Sequence, residues 1–365
     1  MKRNLLLFIG IIALLFPMSL SAQEGPKISG FVQGLGQMNI KDGGDDAKNV
    51  IDNTFRARRV RMSVEGSLAK GLTYKIQGDF LNTPMLVDAF IKYKVCDAFA
   101  IQAGQFKTPF TMESPINPVN LEIFDYGESV QGLSGYSDVC GIGGLGRDLG
   151  IMFTGNLIKP ESLGYSLLTY SLGMFNGNGP VNFKKNEKGL DNNNRKDIVG
   201  KLEVHPWLKD ITLSGSYYLG WYDVPEKIHN GTRNRWAAGA KYDDGDIMVR
   251  TEYLSGATGY MSNTLDSIGN IIGSEQLIQN SQGFYAVAGY NFRLGRDKSQ
   301  KLMPVLRYEH FAANADIDKG GTTYYTVGLN YWPLKSVNLK LDYSLIQPEA
   351  GNNTHRIVGM ISYKF

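Results

Sequence analysis

The sequence predicts an all-β fold: a closed 16-stranded antiparallel transmembrane β-barrel with short periplasmic turns and long extracellular loops. Three observations carry that expectation. Apolar and polar residues alternate with period 2 almost continuously from residue 28 onward. The connections between the alternating segments are short and long by turns. The chain ends on an aromatic residue at the tip of an apolar stripe, Ile357, Gly359, Ile361, Tyr363 and Phe365.

The first residues set the compartment. Lys2 and Arg3 precede an apolar run from Leu5 to Leu15, followed by the small residues Ser19, Ser21 and Ala22. This is the layout of a signal peptide over 1–22, cleaved before Gln23, leaving 23–365 as a single barrel domain. The alternative is an uncleaved anchor, for which the apolar run is short. Removing Lys2 and Arg3 lowers the formal charge from +3 to +1, so net charge argues for neither nucleic acid nor an acidic partner. Beyond residue 22 no apolar run approaches the ~20 residues of a transmembrane helix. A membrane crossing therefore has to be made by strands.

The candidate strands are 28–38, 55–68, 71–80, 87–95, 99–107, 147–157, 164–175, 195–205, 209–221, 233–243, 246–256, 281–293, 302–313, 321–332, 336–347 and 355–365. In the third, Leu72, Tyr74, Ile76 and Phe80 share one face, and Thr73, Lys75, Gln77 and Asp79 the other. In the fifteenth, Val337, Leu339, Leu341, Tyr343 and Leu345 oppose Asn338, Lys340, Asp342 and Ser344. A soluble β-sandwich also alternates, but its strands average about 5–6 residues and its loops have no reason to sort by parity. Short turns are expected at 69–70, 96–98, 158–163, 206–208, 244–245, 294–301 and 333–335, with Asp244-Gly245 a hairpin signal. Long connections are expected at 39–54, 108–146, 176–194, 222–232, 257–280 and 314–320. Backbone groups in lipid must be paired, so the sheet is expected to close, with both termini on the periplasmic side.

Sixteen strands leave an aqueous interior, and parity names the residues that face it. Arg59, Arg61, Ser63 and Glu65 oppose Val60, Met62, Val64 and Leu68. Lys75 and Asp79 lie on the third strand, with Asp88, Lys92 and Lys94 on the fourth. Arg250 with Glu252, and Arg307 with Glu309, repeat an Arg-x-Glu pattern. These are either solvated wall charges pairing across strands or a field that sorts ions in a narrowed pore. The third outer loop, 108–146, is too long for an ordinary connection and is expected to fold into the pore. From Lys107 to Asp148 it carries Glu113, Glu122, Asp125, Glu128, Asp138 and Asp148 against Lys107 and Arg147, a net charge of −4. Tucked against Arg59 and Arg61, it sets opposite charges across an eyelet; the alternative is a solvent-facing cap.

Enzyme chemistry finds little purchase. His205, His229, His310 and His355 are scattered, no recognisable Ser or Asp signature accompanies them, and neither an H-x-x-x-H nor a C-x-x-C pair occurs. The stretch Gly141 to Gly146 lacks the Lys of a phosphate loop. No cofactor or metal is expected. Cys96 falls in a periplasmic turn and Cys140 in the third loop, too far apart to bond.

Several segments resemble the phosphate-selective porin O and P family of outer-membrane channels. They are Arg58-Arg59-Val60-Arg61 with Val64-Glu65-Gly66, Gly78-Asp79-Phe80, Val87 to Ile91, Gly104 to Phe110, Gly146 to Gly150, Phe175 to Gly179, Arg250 to Tyr253 and Arg307-Tyr308-Glu309. The resemblance implies a trimeric, sixteen-stranded porin in the bacterial outer membrane, passing small solutes with basic residues guiding anions. Its C-terminal strand would be read by the barrel-assembly machinery. The chain departs from the family in the pore: only Arg59 and Arg61, with Arg56 and Arg58, form a dense basic run, and the third loop is acidic. The expectation is thus a passive-diffusion porin for small hydrophilic solutes or ions, with an anion or phosphate preference possible. The competing classes are a surface-binding or adhesion barrel and an outer-membrane hydrolase.

Overall fold

The computed structural model describes residues 25–43, 48–81, 86–141, 144–180, 193–206, 208–224, 228–265, 271–296 and 298–365. The signal peptide expected over 1–22 lies outside the described residues. Sixteen antiparallel strands form one closed sheet. They are β1 (Lys27–Lys41), β2 (Val50–Ala69), β3 (Leu72–Asp79), β4 (Leu86–Cys96), β5 (Phe99–Lys107), β6 (Arg147–Ile158), β7 (Leu168–Phe175) and β8 (Asp197–Val204). Then come β9 (Ile211–Val224), β10 (Ile228–Asp243), β11 (Ile247–Leu265), β12 (Ile271–Tyr290, continued by Phe292–Leu294), β13 (Gln300–Ala312), β14 (Gly321–Leu334), β15 (Val337–Pro348) and β16 (Thr354–Lys364). Both pieces of β12 pair with β13, so Asn291 interrupts one strand rather than separating two.

The barrel closes where β16 runs antiparallel to β1, from Thr354 opposite Lys41 to Lys364 opposite Phe31. Phe365 completes the seam: its backbone exchanges hydrogen bonds with that of Gly30 at 3.0 and 3.1 Å. Among the described residues every strand thus has two neighbours, and no ladder edge is left to face lipid. The β10–β11 turn needs left-handed backbone at Gly245 (φ +94°), which glycine adopts without a Cβ clash.

Alternation resolves into two surfaces. Outward, Leu306, Leu341 and Ile361 stand more than half exposed as part of an apolar band. Aromatic rings border it: Trp236 lies 5.2 Å from Tyr253, and Tyr308 packs at 6.3 and 5.5 Å from Phe284 and Tyr325. At the short-turn end, Tyr290 meets Phe292 and Tyr363 meets Phe365. An apolar belt between aromatic girdles is what a lipid-embedded barrel requires. Inward, the same strands bury Arg59, Arg61, Gln77, Asp79, Arg250, Glu252, Arg307 and Glu309.

Strand number and order agree with the sequence expectation, and one class of boundary does not. The spans 222–232 and 257–280, expected as long loops, are largely strand: β9–β10 and β11–β12 continue as hairpins, the latter paired out to Leu265 opposite Ile271. Above a membrane both faces of a hairpin meet water, so the alternation that marks a strand fades while its backbone ladder goes on.

Candidate functional site

The barrel's apolar core lies in its lumen, and the connection between β5 and β6 supplies six of its seventeen buried residues among those described. Residues 108–146 bury Phe110, Leu121, Val130 and Leu133 against Phe106 of β5, Phe175 of β7, Tyr218 of β9, Leu254 of β11, Tyr285 of β12 and Val305 of β13. Two short turns of helix stiffen the loop. A 3-10 turn at Pro118–Asn120 starts where the Asn117 side chain accepts from the Val119 amide, and α1 runs over Glu128–Leu133.

The far wall, β10 to β15, fastens this loop through charge. Glu113, fully buried, accepts from Arg250 Nη2 (2.9 Å), Arg307 Nη1 (2.6 Å) and the Gly127 amide (2.7 Å). Glu122 takes both Nη atoms of Arg250 at 3.0 and 2.8 Å. Asp138 takes both Nη atoms of Arg235 at 2.5 and 2.6 Å. Traffic also runs from loop to wall. Glu309 accepts from the Ser129 amide (2.8 Å) and hydroxyl (2.6 Å), Glu252 from the Met112 amide (2.8 Å), and Asp342 from the Phe124 amide (2.8 Å). Lys340 donates to the carbonyls of Leu121 and Ile123. Forked arginine–carboxylate pairing brings directional as well as Coulombic restraint. The loop can close on the wall at Gly127 because a Cβ there would stand 1.8 Å from Arg307 Nη2.

Against the near wall the loop makes few charged contacts, and a gap remains. Arg58 and Arg59 of β2 both pair with Asp125, Arg59 at 3.0 Å, and Arg59 also donates to Gln33. Burial alone would raise the Asp125 carboxyl, but the two guanidinium groups overcome it and hold it below the usual carboxylate range. Arg61 turns to Asp79 on the wall itself (2.8 Å), and Arg147 to Asp88 (2.6 Å). Lys107 points into the base of the loop, donating to the carbonyls of Ser114 (2.5 Å) and Ile116 (2.8 Å) and to the Tyr126 hydroxyl (2.8 Å). Two cavities flank this line. The outer, ≈ 260 Å³, is lined by Arg56, Arg58, Arg59 and Asp125 among others; the inner, ≈ 250 Å³, by Arg61, Lys75, Lys107, Arg147 and Asp88.

The sequence reading placed the loop acids as a group opposite Arg59 and Arg61. Of them, Asp125 stands there; Glu113, Glu122 and Asp138 bind the opposite wall, and Arg61 takes a wall carboxylate instead. Parity specifies which face a side chain takes but not which side of the lumen its partner occupies. Lys92 lines a cavity at the short-turn end with Lys94 and Cys96, away from the constriction. Asp148 accepts from the Gly177 amide (2.7 Å) and its neighbour Leu149, anchoring the next loop rather than facing the gap. Sequence reasoning missed Arg235, Lys340 and Asp342 as loop fasteners. Arg233-x-Arg235 repeats the spacing of Arg59-x-Arg61, and that signal could have flagged Arg235. Cys96 and Cys140 are both free thiols, Cys96 exposed and Cys140 buried. Among the described residues, no group of three or more His, Cys, Asp or Glu is placed to hold a metal.

Residues 34–148 match the profile of the family described as phosphate-selective porin O and P. That segment contains β2 to β5 and the lumen loop, including the near-wall arginines. No curated protein matches the chain. Among solved structures it is similar to the anion-selective porin from Comamonas acidovorans (13% identity over 93% of this chain and 99% of that one, TM-score 0.61). It is also similar to Salmonella typhi OmpF in complex with daunomycin (15%, 94% and 100%, TM-score 0.59). A third similar structure is the trimer form of OmpT, an outer membrane protein of Vibrio cholerae (11%, 94% and 100%, TM-score 0.57). At these identities the likeness is one of fold.

Proposed function

We propose that this protein is an outer-membrane porin of the phosphate-selective O and P type, a passive-diffusion channel whose route runs between the lumen loop and the β2–β6 wall, and that it prefers anions. One observation carries the preference. The two cavities along that route are lined by Arg56, Arg58, Arg59, Arg61, Lys75, Lys107 and Arg147 against Asp125 and Asp88, seven cationic side chains to two carboxylates. Of the loop's remaining acids, Glu113, Glu122 and Asp138 are spent on the far wall, where Arg235, Arg250 and Arg307 compensate them, and Glu128 lies 3.9 Å from Arg356. A net positive lining beside low-dielectric walls raises the local concentration of anions and lowers that of cations.

Within this reading Arg59 and Arg61 act as the field-setting pair. Lys75 and Arg147 extend the field inward, and Asp125 is the counter-charge that narrows the passage. Arg250, Glu252, Glu113 and Glu122 hold the loop and act on solutes only through it, while Arg307 and Glu309 hold the loop and also line a cavity beside Asp125. The channel takes no cofactor, and catalysis is no part of the reading. Assembly as a homotrimer fits it, as does insertion through the C-terminal strand, whose Phe365 sits at the closing seam. Adhesion through the outer hairpins is the weaker alternative, since the most elaborate charge chemistry lies in the lumen.

Planar-bilayer recording of the purified protein tests the proposal. Discrete conductance steps, with a reversal potential in a potassium chloride gradient displaced toward that of chloride, are the expected result. No conductance would support the adhesion reading instead.

A further inference from the structure

The β1–β16 seam differs from the other ladders of the barrel. Consecutive strands stay tethered through their connections, whereas β1 and β16 meet with the rest of the barrel between them in sequence. Gln33 and Ser362, hydrogen bonded across the seam at 3.2 Å, are 329 residues apart. Pairing at that separation carries the largest loop-closure cost in the sheet, so this ladder is the one most prone to open. One short stretch of the lumen loop, residues 120–125, lies across the inside of the seam and reaches five neighbouring strands. From β14, Asn330 donates to the Glu122 carbonyl (2.7 Å); from β15, Lys340 donates to those of Leu121 and Ile123, and Asp342 accepts from the Phe124 amide (2.8 Å). From β16, Lys364 donates to the Asn120 side chain at 2.7 Å. On β2, Arg58 and Arg59 pair with Asp125, and Arg59 also donates to Gln33, the residue that holds Ser362. Phe124 forms one buried cluster with Leu35 of β1 and Val358 and Met360 of β16, and Leu35 stands opposite Met360 in the ladder. The ring is flanked by Arg356 of β16 at 4.8 Å and Arg58 of β2 at 5.4 Å.

We propose that the lumen loop has a second function: residues 120–125 clasp the barrel shut from within, holding its first and last strands together. The inference is independent of which solutes pass. Elsewhere the wall fastens the loop; at the seam the loop fastens the wall. Parting β16 from β1 would divide the Phe124 cluster, with Leu35 on one side and Val358 and Met360 on the other. It would also break the bond from Gln33, a fully buried amide, to Ser362, and leaving such a group unpaired is costly. The loop's anchors on the far wall, Glu113 and Asp138, hold strands that their own connections already tether, so their loss leaves the seam contacts themselves intact.

The test is amide hydrogen exchange, resolved by peptide, on the purified full-length barrel in detergent. Phe124→Ala should speed exchange across residues 31–41 and 354–364 about tenfold or more. The β7–β8 ladder, across the barrel from the seam, should keep its wild-type protection. Asn120→Ala removes only the hydrogen bond from Lys364 and should give a smaller increase confined to the same two segments. Heat-modifiable gel mobility confirms a folded barrel before each comparison, and should Phe124→Ala fail to fold, Asn120→Ala decides. Wild-type exchange at the seam in the folded variants would overturn the clasp. So would acceleration spread evenly over all strands, because that pattern marks loosened lumen packing rather than an opened seam.

Discussion

Replacing Glu113 with Gln should unfasten the lumen loop without unfolding the barrel. Glu113 is fully buried, and its carboxylate joins Arg250 of β11, Arg307 of β13 and the Gly127 amide. The amide keeps the shape but loses the charge, and its NH2 group would face a guanidinium. Arg250 keeps Glu122 and Arg307 keeps Glu309, so neither arginine is wholly stranded. Removing one partner of a buried ion pair costs about 3–5 kcal/mol, and the retained partners place this case near the lower end. At ~1.4 kcal/mol per decade, the equilibrium between seated and unseated loop then shifts by at least about a hundredfold. The barrel ladder is untouched, because strand pairing does not pass through Glu113. Single-channel recording should show larger or flickering conductance, and limited proteolysis should cut within 108–146 while heat-modifiable mobility stays intact. Wild-type conductance together with a protease-resistant loop would refute the reasoning.

Asp125→Asn should widen the near-wall gap by releasing Arg58 and Arg59, raising conductance and strengthening anion preference in the same bilayer assay. The wild-type bridge should also be insensitive to mild acid. The folded-state pKa of Asp125 is depressed, so its contribution is present above the ordinary carboxylate range and is lost only as pH falls through that lowered value. The difference in conductance between wild type and Asp125→Asn should therefore stay level from pH 7 down to about 4, and a step in that difference near pH 4 would contradict the assigned pairing. Gly127→Ala should displace the loop much as Glu113→Gln does, because the new methyl would collide with Arg307 Nη2; loop proteolysis reads this directly. Thiol labelling of unreduced protein should find two reactive equivalents after denaturation, but only Cys96 in the folded state.

The strands were legible in the sequence because lipid enforces their pattern. Leu339 and Leu341 must face hydrocarbon and Lys340 and Asp342 must not, so a single misplaced residue is costly and alternation stays clean. The hairpin ends at 222–232 and 257–280 were not legible, because water on both faces removes that pressure. The site was readable by face and unreadable by partner. Parity alone turned Arg59, Arg61, Arg250 and Arg307 inward, but the pairing of Glu113 with Arg250 and Arg307 spans 137 and 194 residues. Which side of a lumen a long loop leans on depends on its apolar residues, here Phe110, Val130 and Leu133 seeking Tyr218, Leu254 and Tyr285. A local pattern carries no record of such choices.

The central claim is that the arginines of β2 give the constriction its ion preference, and the double variant Arg59→Ser/Arg61→Ser tests it most directly. The measurement is the reversal potential in a potassium chloride gradient at low ionic strength, repeated near molar salt. Both side chains are buried at the inner wall, at or beside the gap, and two fixed charges there act on a passing ion with incomplete screening. The account predicts a shift toward the potassium potential that shrinks at high salt, where the Debye length falls to about 3 Å. A folded, conducting double variant that keeps the wild-type reversal potential at low salt would show that the constriction's field is made elsewhere.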